Sequence, residues 1–156
     1  MTEEIKKKLL EDLKTLDYEL RVDLPREIKK AVEHGDLREN SEYKAALERQ
    51  EIVRAQVATL RKRIGELDSI DLSKIPTDSI AYGSIIELYD VDKDEVVTYR
   101  LVMPEESDIP KGFISTVSPI GKSLMGKQEG DDVKIETPAG TRNFEVQKLK
   151  TLHDQK

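Results

Sequence analysis

Apolar residues recur at steps of three and four along the first part of the chain. Ile5, Leu9, Leu13, Leu16, Leu20, Leu24, Ile28 and Ala31 form one such stripe, the spacing of a single helical face. A second run, Tyr43, Ala46, Gln50, Val53, Val57, Leu60, Ile64 and Leu67, alternates the same steps without a fault and leaves Arg, Lys and Glu outside, as a coiled-coil seam does. A stripe that regular needs a partner. The turn between the two runs is short, so the pattern predicts an antiparallel helical hairpin. Roughly 30 helical residues, at about 1.5 Å each, make an arm on the order of 45 Å long. Pro25 lies inside the first run; it lacks an N–H and its ring crowds the preceding turn, which predicts a kink or break near Val22 to Leu24.

The helical period fails between Asp71 and Ser79, where Pro76 marks a linker. Beyond it, Ser84 to Leu88, Val96 to Val102, Gly112 to Val117, Asp132 to Glu136 and Asn143 to Lys148 show alternation or β-branched enrichment between Asp, Gly and Pro turns. Ser118-Pro119 and Gly126 have the chemistry of an N-cap, a first helical position and a terminator around one short helix. The expected fold class is α+β: residues 1–75 an antiparallel coiled coil with an acidic tip, and residues 76–156 a small antiparallel sheet holding one helix.

Composition narrows the chemistry. At 156 residues there is room for one ordinary domain or two small ones, and with 4% aromatics, no Trp and 37% charged residues long solvated helices fit better than a deep aromatic pocket. Having no Cys excludes Cys-based zinc sites, and the sequence distance between His34 and His153 argues against a His-rich metal site. A net charge of −6 argues against a generic coat that neutralises nucleic-acid phosphates. The charged N-terminus has no apolar signal segment and no long apolar run follows, so the sequence reads as a cytoplasmic chain with no membrane partner.

The turn between the stripes, Gly35-Asp36-Leu37-Arg38-Glu39-Asn40-Ser41-Glu42-Tyr43, carries the candidate chemistry, and two readings stand side by side. Asp36 and Glu39 are three apart, so they could converge on one cation, with Glu33 and Glu42 adding negative field. Equally, Gly35 is a natural helix terminator, Asp36 a natural N-cap and Glu39 the residue that completes a capping box, so the motif could serve only to turn the chain. Two carboxylates are in any case too few for Mg²⁺, which prefers about six oxygens. The tip makes chemical sense as a metal site only where another macromolecule supplies the remaining ligands.

His34 to Tyr43, followed by Ala45-Ala46 and Gln50, resembles the tip signature of the Gre family of bacterial transcript cleavage factors. A second, distant match lies in Gly112-Phe113-Ile114-Ser115, Ser118-Pro119-Ile120-Gly121-Lys122-Ser123-Leu124-Met125-Gly126-Lys127, Gly130-Asp131-Asp132-Val133 and Thr137-Pro138-Ala139-Gly140, which resembles the same family's C-terminal module. The acidic balance suits the GreA-type branch better than the more basic GreB-type branch. The resemblance implies a coiled coil followed by an FKBP-like domain, and a protein that enters the secondary channel of bacterial RNA polymerase. There, without being an enzyme itself, it would stimulate the polymerase's Mg²⁺-dependent cleavage of the RNA 3′ end in backtracked complexes. By the same resemblance Asp36 and Glu39 would share a Mg²⁺ with the polymerase, with no cofactor bound tightly by the factor alone. Asn40 would orient water or phosphate, and Ser41 would add a hydrogen bond. Tyr43 would stack on an extruded base or simply open the helical seam. Ser118, Pro119 and Ile120 would dock at the rim of the channel, or serve only as a helix start. A monomer is expected.

Several features carry less. Lys44, Arg49, Arg54, Arg61, Lys62 and Arg63 could guide RNA or line an acidic channel wall; Arg61 to Arg63 read as the solvated face of a coiled coil. Gly121 to Lys127 has the glycine spacing of a phosphate loop, but Gln128 stands where Ser or Thr must hold Mg²⁺, which argues against a nucleotide site. Two further classes of function stand behind the cleavage factor: a channel-binding inhibitor of the polymerase, against which the retained Asp36 and Glu39 count, and a peptidyl-prolyl isomerase or chaperone, for which the aromatic residues are too few.

Overall fold

The computed structural model describes residues 2–35 and 39–155, and its contacts divide the chain into two compact units, Met1–Ile70 and Asp71–Lys156. In the first unit α1 (Thr2–Tyr18), a π-helical turn (Glu19–Asp23) and α2 (Leu24–Glu33) run into the turn region. The return is one long helix, α3 (Ser41–Asp68). Every residue of both apolar stripes is buried or half-buried, while Leu10, Val32 and Ile52, which lie off the stripes, are exposed. Leu24, Val53 and Val57 form the buried centre, with Leu13, Leu16 and Leu20 packed against it. Ion pairs link early residues to late ones, Lys6 to Asp68 at 3.0 Å and Arg61 to Asp17 at 3.5 Å, as an antiparallel hairpin requires.

The interruption expected at Pro25 takes a definite form. The helix does not break: Leu24 donates its N–H to the carbonyl of Glu19, five residues back, in a single π-helical turn. A wider turn relieves the clash between a proline ring and the carbonyl one turn before it, and the missing N–H falls where the ladder is already disturbed. The stripe explains why the turn is wide in this place. Leu16, Leu20, Leu24 and Ile28 follow one another in three steps of four, more residues per turn than an α-helix holds, and the π turn absorbs the surplus while the apolar face stays on α3.

The second unit opens with a 3₁₀ turn at Leu72–Lys74, whose cap Asp71 accepts the Ser73 N–H at 3.0 Å. Five strands follow: β1 (Ile85–Asp90), β2 (Glu95–Val102), β3 (Phe113–Ser115), β4 (Asp132–Thr137) and β5 (Gly140–Lys150), in the order β3-β2-β1-β5-β4. The expected all-antiparallel sheet is corrected at one edge, because β3 pairs with β2 in parallel, from Arg100 opposite Phe113 to Val102 opposite Ser115. The segment between them makes two 3₁₀ turns, Pro104–Glu106 and Ile109–Lys111, and so has the length to carry the chain back for a parallel strand, which a tight hairpin cannot do. The short helix α4 (Pro119–Leu124) packs on β3 and β4, and Ile86, Leu88, Leu101, Ile114, Leu124 and Val146 are among the core residues.

Two polar arrangements fix this unit. Asp90 is buried at the end of β1, pairs with Arg142 and accepts the N–H groups of Asp92 and Lys93 at 3.1 and 3.2 Å. Burial by itself would raise its pKa, but the Arg142 guanidinium and the two N–H groups outweigh that and hold the carboxyl below the usual range. At the C-terminus His153 Nε2 donates to the Ile75 carbonyl at 2.7 Å and Gln155 Nε2 to the Gly83 carbonyl at 2.6 Å.

Candidate functional site

The turn between α2 and α3 is built from both helix ends. His34 caps α2 and Gly35 follows with φ +123°, a conformation that favours glycine. The expectation that Gly35 terminates the first helical arm therefore holds. The capping box does not. The N-cap of α3 is Asn40, whose Oδ1 accepts the Tyr43 N–H at 3.1 Å, so Glu39 precedes the cap instead of reaching back to it from inside the helix. Asp36, with Leu37 and Arg38, lies outside the described residues. Asn and Asp cap almost equally well, and the decision falls to the stripe, which begins at Tyr43 and so favours a helix starting at Ser41.

Asn40 also works in the other direction. Its Nδ2 donates to the Ala31 carbonyl at 2.6 Å, in the last turn of α2, where that oxygen also accepts the His34 N–H. Glu39 is exposed in the turn, Ser41 is the exposed first residue of α3, and Tyr43 is half-buried at the start of the seam. The half-burial of Tyr43 fits the seam reading. Arg49 is exposed but engaged, with Nε 2.7 Å from Glu19 Oε1 and Nη2 3.0 Å from Glu19 Oε2, a bidentate contact across the hairpin. Arg54 and Arg63 likewise pair within α3, with Glu51 and Glu66. Of the basic residues that could guide RNA along α3, Arg49, Arg54, Arg61 and Arg63 are thus engaged in ion pairs.

The donor chemistry of the turn suits Mg²⁺ in part. Carboxylate oxygens are the hard ligands that ion takes, and Glu39 presents one to solvent. Among the described residues, however, no group of three or more His, Asp or Glu side chains is arranged to hold a metal. Glu39 could supply one carboxylate oxygen to a Mg²⁺ whose other ligands come from elsewhere.

In the second unit Ser118 caps α4, its Oγ accepting the Gly121 N–H at 3.0 Å and donating to the Ser115 carbonyl at 2.7 Å. Pro119 is exposed at the first helical position, and Ile120 is half-buried against the core. All three line an apolar cavity of about 270 Å³ with Ile109, Ile114 and Pro138. Ile109 is 71% exposed. Sequence reasoning did not single out Ile109; its signal was an apolar residue in a polar turn just before a proline. Glu19, the partner of Arg49, was missed too, because its role depends on which residues the hairpin places opposite each other.

The family profile described as Transcription elongation factor, N-terminal, matches residues 1–68, and the profile described as Transcription elongation factor, GreA/GreB, C-term, matches residues 75–151. The chain is 46% identical over 145 residues to transcription elongation factor GreA of Desulfotalea psychrophila, covering 93% of this chain and 90% of that protein. It is 37% identical over 150 residues to GreA of Syntrophobacter fumaroxidans, covering 96% of each. Among solved structures it is similar to GreA factor homolog 1 of Thermus thermophilus (24% identity, TM-score 0.41, 92% of this chain and 93% of that one). It is also similar to a GreA/GreB factor from Nitrosomonas europaea (22% identity, TM-score 0.44, 66% and 92%). A helical hairpin followed by an α+β unit, matched by both profiles over nearly its whole length, places the chain in the GreA/GreB family of transcription elongation factors. Within that family it is of the GreA type.

Proposed function

We propose that this elongation factor binds bacterial RNA polymerase through its secondary channel and stimulates cleavage of the RNA 3′ end in backtracked complexes, with the polymerase as the enzyme and the factor as its accessory. The observation that carries the proposal is the position of Glu39: an exposed carboxylate at the turn of a hairpin whose return helix alone, Ser41–Asp68, is about 42 Å long at 1.5 Å per residue. Such a rod delivers its turn to a site it could not reach as a globule. Asp36 and Glu39 would hold part of the coordination shell of a Mg²⁺ that the polymerase otherwise binds weakly. When bound, that ion supplies the activation of water and the charge neutralisation that two-metal phosphodiester cleavage needs.

The chain's own residues then have separable tasks. The two carboxylates would supply oxygen donors, Ser41, exposed at the first position of α3, would add a hydroxyl, and Tyr43 anchors the first turn of α3. In the second unit Ser118, Pro119 and Ile120, beside the exposed Ile109, offer an apolar surface suited to docking outside the channel. The test is to mix the protein with stalled, backtracked elongation complexes and Mg²⁺ and follow the length of the RNA. Shortened 3′ ends are expected, and Asp36→Ala or Glu39→Ala should abolish the stimulation while polymerase binding persists. RNA that shortens no faster than with polymerase alone would overturn the proposal. Slower polymerisation in its place would make the protein an inhibitor.

A further inference from the structure

We infer that Asn40 is a positioning residue whose amide ties the end of α2 to the start of α3 and thereby sets where Glu39, the residue before it, stands; the inference deepens the reading of the turn given above and rests on it. Asn40 Oδ1 accepts from the Tyr43 N–H at 3.1 Å, and Nδ2 donates to the Ala31 carbonyl at 2.6 Å. One planar side chain therefore caps the start of α3 and, at the same time, occupies a carbonyl at the end of α2. The Ala31 carbonyl also accepts the His34 N–H at 3.2 Å, so both of its lone pairs are used.

This double task selects the residue type. Ser, Thr and Asp cap a helix as well as Asn does, but an ionised Asp has no donor for a carbonyl, and the hydroxyls of Ser and Thr are too short to span from the cap to the facing helix end. Gln has the right groups on a longer, freer stem. Asn alone is a short side chain with one fixed acceptor and one fixed donor, and the opposite demands of Tyr43 N–H and Ala31 C=O settle which end of the amide is which. The segment it closes, from Val32 to Glu39, ends on the carboxylate-bearing residue next to the tie. With Ala31 itself buried in the hairpin at 2% exposure, the tie is anchored to a fixed point. Asn40 thereby acts on the metal and the water through the segment it closes, its amide being held by Tyr43 and Ala31.

Two variants separate the tie from the cap. Asn40→Ser keeps an acceptor for Tyr43 N–H and loses the donor to Ala31, whereas Asn40→Ala loses both. In the free protein, amide exchange in the segment closed by the tie should quicken by about tenfold in both variants, the factor one hydrogen bond is worth, while the first turn of α3 should loosen only in Asn40→Ala. With backtracked complexes, both variants should bind polymerase as the parent does and require roughly 10- to 100-fold more Mg²⁺ for half-maximal cleavage, the range typical of residues that orient metal ligands. The maximal rate at saturating Mg²⁺ should be largely restored.

Three results would overturn the inference. One is exchange in the segment unchanged in Asn40→Ser, which needs no polymerase to observe. A second is a lower maximal rate with unchanged Mg²⁺ dependence, which would mean that Asn40 meets the reactants directly. The third is cleavage by Asn40→Ser equal to the parent's, which would leave only the cap. Failure of the parent protein to stimulate any cleavage would instead sink the functional reading, and the exchange measurement would still decide the tie.

Discussion

Arg49 on α3 and Glu19 at the start of the π turn face each other across the hairpin in a two-point contact, at 2.7 and 3.0 Å. The contact from Arg49 lowers the pKa of Glu19 against the opposing effect of partial burial. A carboxylate whose folded pKa is depressed contributes stability above its unfolded pKa and loses it as pH falls through the folded value. The thermal stability of the hairpin should therefore drop as pH falls from about 5 towards 3, and the drop should be shallower in Glu19→Gln, which has no carboxylate there to titrate. Melting curves of the two proteins across that range, at low and high salt, check it; the difference should shrink in high salt because the pair is at the surface.

The centre of the hairpin should be far more sensitive than its flank. Leu24 is 1% exposed and packs with Val53 and Val57, so Leu24→Ala should cost about 2–5 kcal/mol through lost burial and the cavity left behind. Ile52, one position from Val53 but 51% exposed, should tolerate Ala within about 0.5 kcal/mol. Urea unfolding followed by helical circular dichroism separates the two.

Deletion of Val22 tests the origin of the π turn. Without that residue the stripe spacing across Leu16, Leu20, Leu24 and Ile28 becomes four, three, four, which is an ordinary heptad pattern. The deletion combined with Pro25→Ala should give an uninterrupted α-helix that still packs on α3 and melts no lower than the parent. Pro25→Ala alone should keep the π turn, since the surplus residue remains. Backbone chemical shifts or a crystal structure of each would show which cause dominates; loss of the π turn in Pro25→Ala alone would assign it to the proline.

Gly121 is sterically required. A Cβ built there would lie 2.0 Å from the Ser115 carbonyl oxygen, a backbone atom of β3 that the Ser118 hydroxyl also binds. Gly121→Ala must push α4 off β3, at a cost of about 1–3 kcal/mol or more, and should widen the cavity beside Pro119 and Ile120. Gly126→Ala, with no atom near its Cβ but φ +82°, should cost less, through backbone strain alone. Chemical denaturation of the two variants ranks them.

The hairpin was legible because its information is local. Each stripe residue declares its face by spacing alone, and all of them are buried or half-buried. Even the π turn left a trace in the three successive steps of four, beside the kink or break that Pro25 predicts. The cap was misplaced because Gly35-Asp36 has the chemistry of a terminator followed by a cap; only the fact that Asn40 serves Tyr43 and Ala31 together fixes the boundary, and Ala31 is nine residues away in sequence. The parallel pairing of β3 with β2 was not legible, since alternation marks which face a strand buries and says nothing about the direction of its neighbour. For the same reason Asp90 and Arg142, which meet across the sheet, gave no sign of each other.

The bonds from His153 to Ile75 and from Gln155 to Gly83 bring the last residues of the second unit onto its first. A module whose two ends are fastened to each other is closed like a clasped ring, and where the ring is cut matters less than that it stays clasped. Joining residues 72 and 155, which lie on one pocket, by a short linker and opening the chain at the β4–β5 turn, near Ala139, should give a permuted module with the same five-stranded order. A permuted chain that fails to show the parent's sheet signals would mean that the clasp is incidental.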